Sequence, residues 1–297
     1  MIVNQLLKRK MSASNERFGV MAAEARKKFS GSFHHDRHIK KMNTVRAKKR
    51  LGQHFLTDNT IAQDIVNSLS EKQRSVLEIG AGMGVLTQFL LQRPDTELLI
   101  VEIDSESVEY LKKHYPILSE KIIKQDFLKL ELSTIFGNNS FSIIGNFPYN
   151  ISSQILFKVL EYKDLIPEVV GMFQKEVAIR IASPPGNKDY GILSVLLQAF
   201  YDIEYLFSVD SHVFSPPPNV KSAVIRLTRN NITDLGCDFQ LFKKLVKTAF
   251  NQRRKTIRNS LKTISFIDNF TQNPIFNKRP EQLSVTDYVF LAKNVIY

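Results

Sequence analysis

Residues 76–84 read V-L-E-I-G-A-G-M-G, a mostly apolar run that leads directly into three glycines at alternate positions. The apolar run predicts a buried strand, and the glycines predict a tight turn in which the backbone can approach a ligand closely. A dinucleotide-binding turn has its third glycine five residues after the first, where this chain has Val85, so the spacing disfavours NAD. The stretch therefore predicts a strand, a ligand-binding turn and a helix, which is the opening unit of an α/β fold.

Outward from this stretch, strand and helix patterns alternate along the chain. Apolar runs predict strands at 76–79, 98–103, 121–125, 141–145 and 169–173. Helical spacing predicts helices at 86–91, 108–114, 151–160 and 189–201. Residues 203–209 and 223–227 follow without a full helix between them, which predicts an antiparallel pair at one edge. We therefore predict an α/β protein whose sheet is mostly parallel, with ligands at the carboxyl ends of the strands.

The two ends of the chain differ from this middle part. Residues 1–45 are basic and lack a clear apolar period, so we expect a disordered N-terminal extension. Met42 precedes the motif-bearing part, and residues 1–41 are interpreted as a translated upstream stretch or an optional extension. A mitochondrial transit peptide is the alternative, which the acidic residues of this stretch argue against.

After a linker at 230–236, apolar residues recur at helical spacing from Leu241 to Leu261. This spacing predicts a small C-terminal all-α domain. The predicted domains are therefore the extension 1–45, a ligand-binding α/β domain at 46–229 and a helical domain at 235–297.

Basic charge is concentrated at the two ends of the chain, whose net charge is +12. Residues 1–41 carry 10 Lys and Arg against 3 Asp and Glu, residues 235–297 carry 11 against 4, and the middle carries 20 against 22. Clustered cations predict a polyanionic partner, with nucleic acid favoured over a membrane surface or a merely solvated basic face.

The single cysteine, Cys237, excludes an internal disulfide and a thiolate metal cluster. It fits a reducing compartment, and we expect a cytoplasmic protein. No apolar run approaches the ~20 residues that a membrane span needs, so no membrane partner is expected.

Carboxylates stand at the ends of the second and third predicted strands. Glu102 lies at the end of the second strand and Asp126 ends the third, while the first strand ends in the glycine turn. An acidic side chain at the second strand end can accept both ribose hydroxyls of an adenosine, and one at the third can accept from an adenine amino group. Each carboxylate alone could be a solvated strand end. Together, and without a G-x-x-x-x-G-K-[ST] loop in the sequence, the three ends predict S-adenosylmethionine (SAM) as the ligand.

Residues 146–149 read N-F-P-Y and follow the fourth predicted strand. The amide of Asn146 and the carbonyls beside Pro148 can accept hydrogen bonds from an exocyclic amine, and Tyr149 can stack on the ring that carries it. An ordinary turn after a strand is the alternative, since proline suits such a position. Beside a methyl donor, the tetrapeptide predicts methylation of adenine in a nucleic acid.

Seven motifs between residues 46 and 262 make the chain resemble the ribosomal RNA adenine N6,N6-dimethyltransferase family (KsgA/RsmA). They are R-A-K-K-R-L-G-Q-H-F-L at 46–56, E-I-G-A-G-M-G at 78–84, V-E-I-D at 101–104, Q-D-F at 125–127, N-F-P-Y-N-I-S at 146–152, F-S-P-P-P-N-V-K-S-A-V at 214–224 and F-N-Q-R-R-K-T-I-R-N-S-L at 250–261, with Q-K-E-V at 174–177 as a further match. Two departures are mild: Phe147 stands where the family often has Leu, and His54 where many members have Asn.

The resemblance implies a Rossmann-like SAM methyltransferase sheet and assigns the site. SAM is expected to be held by a set of six residues: His54, Leu56, Gly80, Glu102, Asp126 and Asn146. The catalytic set is expected to be Asn146, Pro148, Tyr149 and Phe214, with the target adenine on Tyr149 and near Phe214. Phe214 has the alternative of a core aromatic before a proline run. No metal is required.

The implied reaction is SAM-dependent N6,N6-dimethylation of two adjacent adenines in the 3′-terminal hairpin of small-subunit (16S) rRNA, with a role in subunit biogenesis. The expected partner is that rRNA within an assembling subunit, and a monomer is expected. Arg254, Arg258 and Lys262 recur every four residues and are predicted to share one helix face along the RNA backbone. The alternatives are an Erm-type enzyme of large-subunit rRNA and a binding factor that has lost activity.

Overall fold

The computed structural model describes residues 45–296. The strands are β1 (Phe55–Leu56), β2 (Ser75–Ile79), β3 (Glu97–Val101), β4 (Ile122–Ile123), β5 (Ser142–Asn146), β6 (Glu168–Gln174), β7 (Tyr201–Val209), β8 (Phe214–Ser215) and β9 (Ser222–Arg229). The α-helices are α1 (Asn59–Asn67), α2 (Thr87–Leu90), α3 (Ser105–His114), α4 (Ser152–Glu161), α5 (Lys175–Ala182), α6 (Ile192–Gln198), α7 (Phe239–Asn251), α8 (Ile257–Ser260) and α9 (Val285–Lys293).

Seven strands form one sheet in the order β4-β3-β2-β5-β6-β9-β7. The first five are parallel, while β9 runs antiparallel to both β6 and β7. The mostly parallel sheet and its antiparallel pair at one edge are therefore confirmed. Because the chain order reverses between β2 and β5, a crevice opens at the carboxyl ends of these strands.

Both faces of the sheet are covered, because successive side chains of β2 pack into cores on opposite faces. Val76 packs into a core with α1 on one face, whereas Leu77 and Ile79 pack into a larger core on the other. The larger core continues into the C-terminal helices through residues such as Phe242 and Leu245. Residues 45–296 form one compact unit, and the boundary between the two predicted domains after 229 stays a prediction.

Four features of the fold differ from the patterns in the sequence. The third strand is only two residues long, and the helix predicted at 189–201 is confined to Ile192–Gln198. Tyr201 belongs to β7, because its buried ring and its pairing with Arg229 commit it to the sheet. Helix α5 and the small antiparallel pair of β1 with β8 are additional elements.

The predicted basic helix face is wrong. Helix α7 ends at Asn251 and α8 begins only at Ile257, so Arg254 lies in the turn between them and Lys262 lies beyond α8. Gln252 leaves the helical region with φ −120° and ψ 44°, and the backbone N–H of Ile257 donates to the carbonyl of Lys278. The apolar spacing continues across the break, and therefore hides it.

The predicted extension 1–45 lies outside the described residues, apart from Val45. Within residues 45–296, the helices all fall short of the length and apolar character that crossing a membrane requires.

Candidate active site

A cavity of about 240 Å³ lies at the carboxyl ends of β2, β3, β4 and β5. Seven of the predicted site residues line it: His54, Gly80, Glu102, Asp126, Asn146, Pro148 and Tyr149. Leu56 lines a smaller neighbouring cavity of about 30 Å³, which shares Gly80, Gly82 and Asn146 with the larger one. Residues distant in sequence therefore meet at one place.

The glycine turn leaves room for a ligand. Gly80 and Gly82 have φ of +69° and +56°, values that side chains rarely allow. A Cβ at Gly80 would meet no atom within 4 Å, so a side chain there would occupy space in the cavity that Gly80 lines. A Cβ at Gly82 would lie 2.8 Å from the ring of Phe55, so this glycine permits the 46–56 segment to approach the turn.

Glu102 is held by the backbone at the end of β3. Its two carboxyl oxygens accept from the N–H groups of Gly82 (3.0 Å) and Asp104 (2.8 Å). Only 4% of the residue is exposed. Burial raises the pKa of the Glu102 carboxyl, and the two backbone donors oppose that rise by stabilising the charged form. The carboxyl group is thereby fixed in orientation at the wall of the cavity.

A second buried carboxyl, that of Glu78, lies in β2 just before the glycine turn. The hydroxyl of Thr87 donates to it at 2.7 Å. Burial raises the pKa of Glu78 to about 8, with a smaller contribution from the nearby Glu102. Glu78 therefore keeps its proton at neutral pH, and it lines the smaller cavity as a neutral group.

Asp126 begins a short 3₁₀ turn rather than ending a long strand. Its carboxylate accepts from the N–H of Leu128 at 2.9 Å. The buried ammonium group of Lys158, from α4, donates to the carbonyls of Leu128 (3.0 Å) and Leu130. Burial lowers the pKa of Lys158. Lys158 thus supports the turn that carries Asp126, a role that its place in an amphipathic helix pattern gives no means of predicting.

The segment 46–56 is fastened across the cavity by polar contacts. The side chains of Lys48 and Gln53 both donate to the carboxylate of Asp104, the N-cap residue of α3. The amide nitrogen of Asn146 donates to the backbone carbonyl of His54 at 2.9 Å. The sequence motifs contain Lys48, Gln53 and Asp104, but their spacing alone does not reveal that they bind one another.

The buried side chain of Phe147 packs the N-F-P-Y segment against the core. It is 1% exposed, and its ring lies against the paired glycines Gly145 of β5 and Gly171 of β6. A Cβ at Gly145 would come within 2.7 Å of the ring, and one at Gly171 within 2.4 Å. The two glycines therefore make the space that an aromatic residue needs here, which brings Pro148 and Tyr149 to the cavity.

Tyr149 is held by residues from the 214–224 motif. Its hydroxyl shares a hydrogen bond of 2.6 Å with the hydroxyl of Ser222, and its ring stacks with that of His54 at a centroid distance of 5.6 Å. Nδ1 of His54 lies 2.8 Å from the carbonyl oxygen of Pro216. Phe214, in contrast, is 4% exposed, packs in the core with Leu56 and lines neither cavity. Its placement favours the alternative of a core aromatic.

Comparison of the sequence with known proteins identifies the family of this chain. The sequence model described as "Ribosomal RNA adenine dimethylase" matches residues 44–289. "Ribosomal RNA small subunit methyltransferase A" of Cytophaga hutchinsonii is 60% identical over 253 residues, which cover 84% of this chain and 98% of that protein. The protein of the same name from Phocaeicola vulgatus is 57% identical over 256 residues, covering 86% of this chain and 91% of that protein.

Two solved structures share the fold. A dimethyladenosine transferase from Plasmodium falciparum superposes with a TM-score of 0.68 at 24% identity, covering 82% of this chain and all of that one. The 23S rRNA methyltransferase ErmE superposes with a TM-score of 0.59 at 24% identity, covering 81% of this chain and all of that one. These structures confirm the fold, and the sequence matches confirm the predicted family: this chain belongs to the ribosomal RNA adenine dimethylase family.

Proposed function

We propose that this protein dimethylates N6 of adenine in the rRNA of the small ribosomal subunit, with SAM as the methyl donor. The observation that carries the proposal is Asn146, whose amide lies in the same cavity as Gly80, Glu102 and Asp126. The names of the relatives, which are methyltransferases of small-subunit rRNA, support the choice of substrate.

The residues that line the cavity fit SAM. The open space at Gly80 admits a ligand against the backbone, and the buried, oriented carboxyl of Glu102 suits a ribose diol. Asp126 keeps an acceptor at the third strand end, where an adenine amine can donate. When bound, SAM supplies an electrophilic methyl group on a sulfonium.

The task of the protein is then to orient the target nitrogen. The lone pair of adenine N6 is delocalised into the ring, so the amine is a poor nucleophile until it becomes pyramidal. The amide nitrogen of Asn146 is committed to His54, which leaves the amide oxygen to accept from N6–H. The carbonyl beside Pro148 is a second acceptor, and Tyr149 offers a stacking surface. Such a reaction depends on positioning more than on a strong base.

A base can reach the cavity only after it leaves its stack, so a loop or single strand is the expected substrate. We place the target in the two adjacent adenines of the 3′-terminal hairpin of 16S rRNA, within an assembling subunit, and propose a cytoplasmic monomer. The exposed cations Arg254, Lys255, Arg258 and Lys262 offer phosphate contacts, although they do not share one helix.

Methyl transfer to isolated small subunits that lack the modification tests the proposal. The wild-type protein is expected to incorporate up to two methyl groups per target adenine, as measured by mass spectrometry of the hairpin. Asn146→Ala is expected to lower the rate roughly a hundredfold, because the amine loses its orienting acceptor. Asn139→Ala, in an exposed loop, is the matched control.

Two outcomes would refute the proposal in different ways. Absence of incorporation by a folded wild-type protein would support a binding factor without catalysis. Incorporation into large rather than small subunits would support an Erm-type enzyme.

A further inference from the structure

Ser222 stands at a place where its hydroxyl cannot move freely. It is the first residue of β9 and is fully buried. Its backbone is paired on one side with Gln174 of β6 and on the other with Val209 of β7. A side chain as short as serine on a backbone held from both sides has a well-defined oxygen position, so its partner is held in place as well.

That partner is the hydroxyl of Tyr149, at 2.6 Å. Tyr149 lines the cavity, whereas Ser222 does not. Tyr149 is half-buried, and among residues 45–296 its phenol has Ser222 as its hydrogen-bond partner, so the angle of the ring depends on this contact. The hydrogen bond joins a buried strand to a ring at the cavity wall.

The second contact of the ring indicates where a base can stack. His54 lies against Tyr149 with an interplanar angle of 25° and a centroid distance of 5.6 Å. A third ring between them would need about 7 Å, which is two layers at the ordinary separation of carbon atoms. We therefore expect a base to stack on the face of Tyr149 opposite His54, where the tilt of the ring sets the height of the exocyclic amine.

We propose that Ser222 is a positioning residue for methyl transfer, which fixes the ring plane of Tyr149 so that a stacked adenine presents N6 to Asn146. The inference rests on the function proposed above. It assigns to the 214–224 motif a part in the reaction through Ser222 rather than through the buried Phe214.

A double-mutant cycle tests the inference. Ser222→Ala and Tyr149→Phe each delete the hydrogen bond from one side, and each is expected to lower kcat on RNA roughly threefold to tenfold. The double variant is expected to be no slower than the slower single variant, because both changes remove the same contact. The Kd for SAM is expected to stay near the wild-type value. The Tm is expected to fall by a few degrees at most, the cost of one unpaired buried hydroxyl.

The chain supplies a matched control pair. Tyr205 and Ser208 on β7 share a hydrogen bond of 2.7 Å and line neither cavity. Tyr205→Phe and Ser208→Ala are expected to leave kcat within about twofold of wild type, since the loss of an exposed hydrogen bond outside both cavities has little effect.

Three results would overturn the inference: a wild-type kcat for Ser222→Ala, losses that multiply in the double variant, or an equal loss in the control pair. If Ser222→Ala does not fold, Tyr149→Phe decides, and a folded Tyr149→Phe with wild-type kcat would overturn the inference. A folded wild-type protein that transfers no methyl would refute the proposed function and this inference together. An active wild type with an unaffected Ser222→Ala refutes the inference alone.

Discussion

Gly171→Ala is expected to displace the buried ring of Phe147 and to lower the free energy of unfolding. The added Cβ would lie 2.4 Å from Cε2 of Phe147 and 2.6 Å from Cε2 of Phe173. Carbon atoms in contact prefer about 3.5–4.0 Å, so each buried ring would have to move by about 1 Å. Overpacking of this kind costs about 1–3 kcal/mol. Because two rings are affected, we expect about 2–3 kcal/mol.

Equilibrium urea unfolding measures this cost as a lower free energy of unfolding, and a thermal scan is expected to show a Tm lower by about 4–12 °C. Phe147→Leu supplies the decisive comparison, because leucine lacks the Cε2 atom that the new Cβ would strike. In that background Gly171→Ala is expected to cost at least about 1 kcal/mol less. Some cost should remain, since the ring of Phe173 is unchanged.

Gly191→Ala is the matched control, because its φ is −156° and its added Cβ would lie 3.5 Å from the nearest atom, which is ordinary contact. A Gly171→Ala protein as stable as this control would refute the packing account of Phe147. The account would also be refuted if the losses in free energy of unfolding from Gly171→Ala and Phe147→Leu added up in the double variant within about 0.5 kcal/mol. Residues that clash directly are expected to depend on each other.

Three further predictions concern charge. Glu102→Ala is expected to weaken SAM binding at least about tenfold in calorimetry, since a good charged hydrogen bond contributes about 1.5–3 kcal/mol. The control Glu109→Ala, at an exposed position, should bind SAM normally. Equal affinities of the two variants would contradict the role of Glu102. The native Glu78 carboxyl, with its pKa of about 8, holds a proton that the unfolded chain releases near 4.5. The stabilisation from this proton is therefore fully present below about pH 4.5 and is lost as the pH rises towards 8. Glu78→Gln should lack this pH dependence in urea unfolding. Parallel curves of unfolding free energy against pH for the two proteins would argue against the raised pKa. Exchanging Arg254 and Lys255 for glutamine is expected to weaken RNA binding and to reduce the slope of log affinity against log salt by about 1–2, and an unchanged slope would mean that neither residue contacts phosphate.

The ends of the strands could be predicted because burial and chemistry both mark them in the sequence. A parallel strand covered on both faces is a mostly apolar run, so polar or glycine residues where the run stops mark its carboxyl end. Gly80, Glu102 and Asn146 lie at such positions, and the topology of the sheet brings them to one cavity. Asp126 lines the same cavity although its strand is shorter than its pattern suggests.

The supporting contacts could not be predicted because they join distant parts of the chain. Tyr149 and Ser222 are 73 residues apart, and Lys158 serves carbonyl groups 28 and 30 residues away. A pattern of apolar residues does not record such pairs. An aromatic residue before three prolines could equally line a cavity or fill a core, and only the pairing of β8 with β1 sends Phe214 inward.

The hydrogen bond from Asn146 to the carbonyl of His54 has a consequence for base identity. It engages the amide nitrogen and leaves the amide oxygen free, so we expect Asn146 to meet a bound base as an acceptor. Guanine and hypoxanthine carry an oxygen at the position of the adenine amine, and two acceptors facing each other without a proton are unfavourable. Cytosine carries a donor there and passes this filter, so its exclusion depends on the fit of the smaller ring against Tyr149. The same bond that fastens the 46–56 segment over the cavity thus sorts purines by their substituent at C6.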